Sequence, residues 1–131
     1  MIKFSNIKPA DIVMAEYEGQ KMIGTVTDLN REDKQVCVET AVQEFWFSPD
    51  QLHPIPLDET QLQMLGFQKQ PQADGSTKYL KDSFRIMVPP GGDFSKMDIW
   101  WREDRRHLTS AIAVHELQNH YYDMTKVELN P

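Results

Sequence analysis

The chain has 131 residues, of which 40% are hydrophobic, and it carries a formal net charge of −6. This length suits one ordinary domain or two very small modules, and this hydrophobic content excludes global disorder. The charge is spread along the chain, so neither half has the basic surplus that nucleic-acid binders usually show. No apolar run is long enough to predict a membrane span, and the N-terminus lacks the apolar stretch of a signal peptide.

Residues 1–56 predict a small all-β unit. Its β-branched and aromatic runs are separated by turn residues at short, regular spacing. The predicted strands are Ile12–Tyr17, 21–29, Gln35–Thr40 and Glu44–Phe47, followed by a helical turn at 48–52 and an extended segment at 53–56. Short strands in this order favour a compact barrel that removes its free edges.

Three stretches of this unit resemble SH3-like barrels of the kind found in translation and RNA-associated modules. They are the entry at 8–13, the strand Gly24-Thr25-Val26, and the turn at 48–52 before the last strand. Barrels of this type bind RNA, peptides or nothing, so the resemblance implies a fold and leaves the ligand open.

The single cysteine, Cys37, excludes an internal disulfide and lies between two valines in a strand-like run. We expect it to be a small buried side chain rather than a reactive thiol. A chain without disulfides is typical of a reducing compartment, and we therefore expect a cytoplasmic protein.

Residues 57–131 predict an antiparallel β-meander between a short linker helix and a C-terminal helix. The linker helix at 57–66 has Asp58 as a candidate N-cap and Gly66 as a suitable C-terminal residue. Ala73-Asp74-Gly75-Ser76 predicts a hairpin turn, and strands are expected at 77–80, 84–88 and 96–102. The whole chain is thus predicted to be α+β, mainly β, with its two units packed as one body.

The C-terminal helix has an apolar stripe and a polar flank. Thr109 or Ser110 is its candidate cap. The stripe is about 100° wide, as expected for a core-facing helix, and consists of Ala113, Val114, Leu117, Tyr121 and Met124. Four polar residues at i+3, i+4 and i+7 spacings form a polar ridge beside it: His115, Gln118, Asn119 and Tyr122. Such residues either tie a helix to neighbouring backbone or line a small groove, and the sequence leaves both roles open.

A zinc site on this helix is excluded by spacing. A metalloprotease helix needs two histidines at i and i+4, whereas His115 and His120 are at i and i+5. The separation of five residues places the second ring about 140° around the helix from the first. With no cysteine pair and no nucleophile motif, we predict no metal, no cofactor and no enzymatic activity. An unrecognised hydrolase remains the enzymatic alternative.

Residues 100–106 are a candidate contact surface. Trp100 and Arg102 stand among further arginines, a mixture that can stack on and clamp nucleic acid. Glu103 and Asp104 cancel much of that charge. Strand alternation leaves one tryptophan of this run facing away from the core, and an exposed tryptophan beside arginine is a typical binding hot spot. The alternative is core packing with solvated charges.

Residues Glu44–Phe47 offer a second aromatic run. Alternation places Phe45 and Phe47 on one side of the strand and Trp46 on the other. We expect the two phenylalanines to pack in the core. Exposed aromatics of SH3-like folds bind peptides or bases, which is the alternative for this run.

The C-terminal residues form the pattern His115-x-Leu117-Gln118-Asn119-x-Tyr121-Tyr122-x-Met124-Thr125-x-x-Glu128-Leu129. Two shorter motifs, Ile55-Pro56-Leu57 and Leu65-Gly66-Phe67, precede it. Together these motifs resemble small proteins of no known activity in Bacteroidetes genomes and their prophages. Those proteins have a glycine after the threonine of the tail, where this chain has Lys126, so we expect a differently shaped helix end. The resemblance implies a bacterial or phage setting.

These observations predict a non-enzymatic binding or assembly module, associated with a mobile element. Its partner is expected to be a protein or a second copy of the chain. The predicted partner surface consists of His115, Gln118, Asn119, Tyr122, Trp100 and Arg102. The alternative function is RNA or DNA binding through the barrel, which the net charge of −6 disfavours.

Overall fold

The computed structural model describes all 131 residues and confirms an α+β, mainly β protein with two antiparallel sheets and two α-helices. The chain divides into two compact units. The first comprises residues 1–55 together with 113–119, and the second comprises 56–112 together with 120–131. The sequence placed the boundary at residue 56 and the whole last helix in the second unit, whereas the first half of that helix belongs to the first unit.

The first sheet is a five-stranded antiparallel meander with the order β4-β3-β2-β1-β5. A 3-10 turn at Pro49–Gln51 precedes the last strand, within the helical turn predicted at 48–52. No ladder joins the first and last strands of this order, so both are edge strands. The strands are β1 (Ile12–Tyr17), β2 (Gln20–Asn30), β3 (Gln35–Thr40), β4 (Glu44–Phe47) and β5 (Leu52–His53).

The core of the first unit lies on one face of this sheet, because alternate strand residues point to the same side. It includes Val13, Val26, Val38, Phe47 and Leu52, each at most 3% exposed. Cys37 is also buried, which confirms its predicted burial.

The second sheet is also five-stranded and antiparallel, with the order β10-β9-β8-β7-β6. Before it lies α1 (Glu59–Met64), whose predicted cap is confirmed, since the Asp58 side chain accepts a hydrogen bond from the Gln61 amide at 2.9 Å. Gly66 ends this helix with a φ of +90°, a conformation that glycine adopts without steric cost. The strands are β6 (Gln68–Pro71), β7 (Thr77–Lys81), β8 (Phe84–Val88), β9 (Asp98–Trp101) and β10 (Asp104–His107).

The strand predicted at 96–102 is shorter than expected, and β10 was not predicted. Lys96 ends a 3-10 turn that begins where the Asp93 side chain accepts a hydrogen bond from the Ser95 amide. Arg102 has a φ of +56° and turns the chain into β10. The four residues of β10 are all polar, so no hydrophobic alternation marked them as a strand.

The last helix, α2 (Val114–Thr125), begins later than the predicted caps at Thr109 and Ser110. At its start, the Glu116 carboxylate accepts a hydrogen bond from the Ala113 amide at 2.9 Å. This bond satisfies one of the amides that a helix leaves unpaired at its first turn. All five residues of the predicted apolar stripe are buried, as expected. Neither α-helix has the length and apolar character needed to cross a membrane.

Candidate functional site

Gln118 of the polar ridge is a structural tie inside the first unit. Its side chain is fully buried. The amide oxygen accepts a hydrogen bond from the Ile12 amide at 2.7 Å, and the amide nitrogen donates to the Ala10 carbonyl at 2.8 Å. A single side chain therefore satisfies two backbone groups at the entry to β1. Gln118 presents nothing to a partner.

His115 and Asn119 are the other ridge residues of the first unit. His115 is only 4% exposed, and burial lowers the pKa of its imidazole, with a smaller opposing effect from the charge of Glu116. Its Nδ1 atom has no hydrogen-bond partner within the protein, and neither has Oδ1 of Asn119. The Asn119 amide nitrogen lies 3.5 Å from the Asn6 carbonyl. Burial makes His115 unavailable as a surface contact.

The other three predicted residues belong to the second unit. Tyr122 is exposed on α2. Trp100 is half-buried on β9 and has arginine guanidinium groups beside it. Arg102 is exposed, and its guanidinium carbon lies 4.2 Å from the centroid of Trp101, not Trp100. Arg102 therefore stacks on the tryptophan of the opposite strand face.

The first unit carries an aromatic cleft that the predicted surface did not include. Its exposed walls are Tyr17, Phe45 and Trp46, which are 49%, 42% and 46% exposed. Phe47 and Gln51 complete the lining of a space of about 260 Å³. We refer to these five residues as the aromatic cleft.

Phe45 corrects the expectation that both phenylalanines of β4 pack in the core. Phe47 is only 3% exposed and joins the core, whereas Phe45 is largely open to solvent. The reason is the position of β4, which is a four-residue strand at the edge of the sheet and has a neighbour on one side only. Alternation predicts the direction of a side chain, but it does not predict that another layer lies above it.

Three of the four rings of the cleft are in contact: Tyr17, Phe45 and Phe47. The centroids of Tyr17 and Phe45 are 5.9 Å apart, and those of Phe45 and Phe47 are 6.3 Å apart in an edge-to-face arrangement. Phe47 is buried, so the exposed rings continue outward from the core. Gln51 is held in place because its side-chain oxygen accepts a hydrogen bond from the Ser48 amide at 3.0 Å. The cleft is therefore preorganised rather than assembled from loose side chains.

Three of the residues that line the cleft have an acidic residue next to them in the sequence. Glu18 follows Tyr17, Glu44 precedes Phe45, and Asp50 precedes Gln51. Glu44 stands directly opposite Glu39 on the neighbouring strand, a pairing of like charges that is unfavourable by itself. The Glu44 carboxylate accepts a hydrogen bond from the Thr27 hydroxyl at 2.9 Å. The first unit as a whole has 5 basic and 10 acidic side chains.

Comparisons of this chain with protein-family models, with curated proteins and with solved structures found no match. Nowhere do three or more His, Cys, Asp or Glu side chains come together in a group that could hold a metal ion. Tyr17 and Gln51 were missed in the sequence because they come from different elements, and only the fold places them beside β4.

Proposed function

We propose that this protein is a non-enzymatic binding module whose aromatic cleft binds an extended, positively charged segment of a partner protein. The observation that carries this proposal is the exposure of Tyr17, Phe45 and Trp46, each more than 40% open to solvent, around one preorganised cleft. Clustered exposed aromatics are typical of interaction sites, because tyrosine and tryptophan supply large contact areas with little conformational entropy to lose.

The edge position of β4 favours an extended ligand. Strand β4 pairs with β3 on one side and has no strand on the other. A partner segment can add to such an edge through main-chain hydrogen bonds, while its alternate side chains enter neighbouring pockets. The space of about 260 Å³ is just below the range of small-molecule sites and suits one or two side chains of a peptide.

The charge around the cleft favours a cationic ligand. Glu18, Glu44 and Asp50 are sequence neighbours of lining residues, and the first unit has twice as many acidic as basic side chains. A lysine or arginine of the partner would gain Coulomb attraction there and a cation–π contact with Trp46 or Tyr17. The same charge repels phosphates, which argues against nucleic-acid binding through this unit. A bacterial or phage assembly is the setting that the tail resemblance implies.

A selection experiment tests this proposal. Random peptides of about eight residues, long enough to lie along a strand edge, are displayed on phage and selected on the immobilised protein. We expect enriched sequences that combine Lys or Arg with apolar residues and that lose binding to the Trp46→Ala variant. The Trp100→Ala variant, which removes a tryptophan of the second unit, is the matched control and should bind them fully. Enrichment of acidic peptides, or equal binding to the Trp46→Ala variant, would refute the proposal.

A further inference from the structure

The second sheet carries a row of alternating arginine and tryptophan across three strands. Trp100 on β9 stands directly opposite Arg85 on β8 and Arg105 on β10. The guanidinium carbons of the two arginines lie 6.0 Å and 5.0 Å from the Trp100 ring centroid. An aromatic ring thus has a fixed positive group on each flanking strand, within the range of a cation–π contact.

This row lies on the face of the sheet that turns away from its core. In β8, Phe84, Ile86 and Val88 are buried, and the alternate residue Arg85 is exposed. Lys78, Met87 and Asp98 form the next row on the same face, since they are register partners across β7, β8 and β9. We call these six residues, Lys78, Arg85, Met87, Asp98, Trp100 and Arg105, the tryptophan face.

The tryptophan face is positively charged within a negatively charged chain. It has three cationic side chains and one carboxylate, whereas the chain as a whole has a net charge of −6. Asp98 is already neutralised, because Arg105 contacts its carboxylate at 2.7 Å and His107 bonds to the other oxygen. Both bonds lower the pKa of Asp98, that of Arg105 more strongly. Arg85 forms no ion pair, so its charge is available to an external anion.

From this arrangement we propose that the tryptophan face binds single-stranded nucleic acid. Trp100 stacks with a base that takes the place of a guanidinium group over its ring. Arg85 contacts the phosphate on one side, and Arg105 contacts the phosphate on the other with the N–H donors that its bond to Asp98 leaves free. An exposed sheet face with a central aromatic ring and flanking cations provides the two contacts that single strands accept regardless of sequence. This site is separate from the aromatic cleft and does not depend on the function proposed for it.

The chemistry of the row favours a nucleic acid over an acidic peptide. The acidic side chains of a peptide supply carboxylates for the arginines but no aromatic ring to stack on Trp100, whereas a nucleotide supplies both an anion and an aromatic ring. Arg85 and Arg105 can also stack on bases through their guanidinium planes. With two phosphate contacts, affinity for a single strand should fall about sevenfold between about 50 and 200 mM salt.

Fluorescence anisotropy of a labelled oligothymidine of about 12 nucleotides tests the proposal with the full chain. We expect salt-sensitive binding that weakens about tenfold in Trp100→Ala and several-fold in Arg85→Gln. Arg85 is exposed and forms no ion pair, so Arg85→Gln keeps the fold even if Trp100→Ala disturbs it. Trp46→Ala, which removes an exposed tryptophan of the first unit, is the matched control and should bind like the unmodified protein.

Three results would overturn this inference. The first is no anisotropy change at about 50 mM salt and protein concentrations of about 100 μM, the weak end of non-specific binding. The second is an equal loss of affinity in Trp46→Ala and Arg85→Gln. The third is displacement of the oligonucleotide by oligoglutamate as effectively as by unlabelled oligothymidine, which would identify an acidic protein as the partner.

Discussion

The polar ridge of α2 and the aromatic cleft of the first unit are both built from residue types that commonly form binding sites. They differ in how far their side chains remain exposed to solvent. Both polar atoms of the Gln118 side-chain amide form hydrogen bonds with the backbone of residues 10 and 12, and His115 is buried. Tyr17, Phe45 and Trp46 instead keep more than 40% of their surface open. The chemistry of a residue can suggest a binding site, but its exposure in the folded protein decides whether a partner can reach it.

The largest expected effect is on the ridge. Gln118→Ala should lower the free energy of unfolding by about 3 kcal/mol, because it leaves the Ile12 amide and the Ala10 carbonyl buried without partners and opens a cavity. Urea denaturation measures this loss. Gln63→Ala on the exposed side of α1 is the control and should change stability by less than about 0.5 kcal/mol. If Gln118→Ala lowers the free energy of unfolding by less than about 1 kcal/mol, Gln118 does not hold α2 to the entry of β1.

The second-largest expected effect is at the aromatic cleft, where a substitution should change peptide binding rather than stability. Trp46→Ala should weaken binding of a selected cationic peptide by tenfold or more, equal to about 1.4 kcal/mol. Its free energy of unfolding should change by no more than about 0.5 kcal/mol, because Trp46 is exposed. Peptide titration measures the change in affinity, and urea denaturation of the same variant measures the change in stability. A Trp46→Ala protein that unfolds readily would show that the cleft, like the ridge, serves the fold.

The contrast also shows how far the sequence can be interpreted. Strands β1, β3, β4 and β8, the Asp58 cap and the apolar stripe of α2 were predictable, because local propensity and periodicity determine them. Strand β10 was not predictable, because its residues are all polar and show no hydrophobic alternation. One of its side chains, Arg106, bonds to Asp123 of α2 at 2.9 Å, a contact that no local pattern indicates. The cleft was not predictable either, since β2 and β3 lie between the strands of Tyr17 and Phe45 in the sheet, and the two rings meet only in the folded unit.

A smaller effect concerns the pH dependence that the ridge confers. Burial lowers the pKa of His115 from its ordinary value of 6.5, so below that pH the unfolded chain binds a proton that the folded protein does not. The free energy of unfolding should therefore fall as the pH is lowered from about 7 to 5. Carboxylates with lowered pKa values, such as Asp98 and Asp123, lose their contribution only at more acidic pH.

His115→Gln, which cannot titrate, should flatten this pH dependence, and denaturation at several pH values between 5 and 7 measures it. The binding of a cationic peptide should be unaffected, because His115 is not in the cleft. If the free energy of unfolding of His115→Gln depends on pH as steeply as that of the unmodified protein, the buried histidine is not the cause of this dependence.

The smallest effect lies at the end of the helix. Lys126 has a φ of +62°, a left-handed conformation that glycine adopts without strain, and its amide donates to the Tyr122 carbonyl at 2.7 Å. The helix end thus keeps the backbone shape that a glycine favours, although the sequence predicted a different one. Lys126→Gly should raise the free energy of unfolding by about 0.5 kcal/mol, and Lys126→Ala should not. A thermal melt in which both variants behave alike would contradict this account.

The measurement that most directly tests the cleft as the functional surface is calorimetric titration of one phage-selected cationic peptide into three proteins. These are the unmodified chain, Trp46→Ala and Trp100→Ala. We expect equal affinity for the unmodified chain and Trp100→Ala, and an affinity at least tenfold weaker for Trp46→Ala. Undiminished binding to a folded Trp46→Ala protein would contradict it.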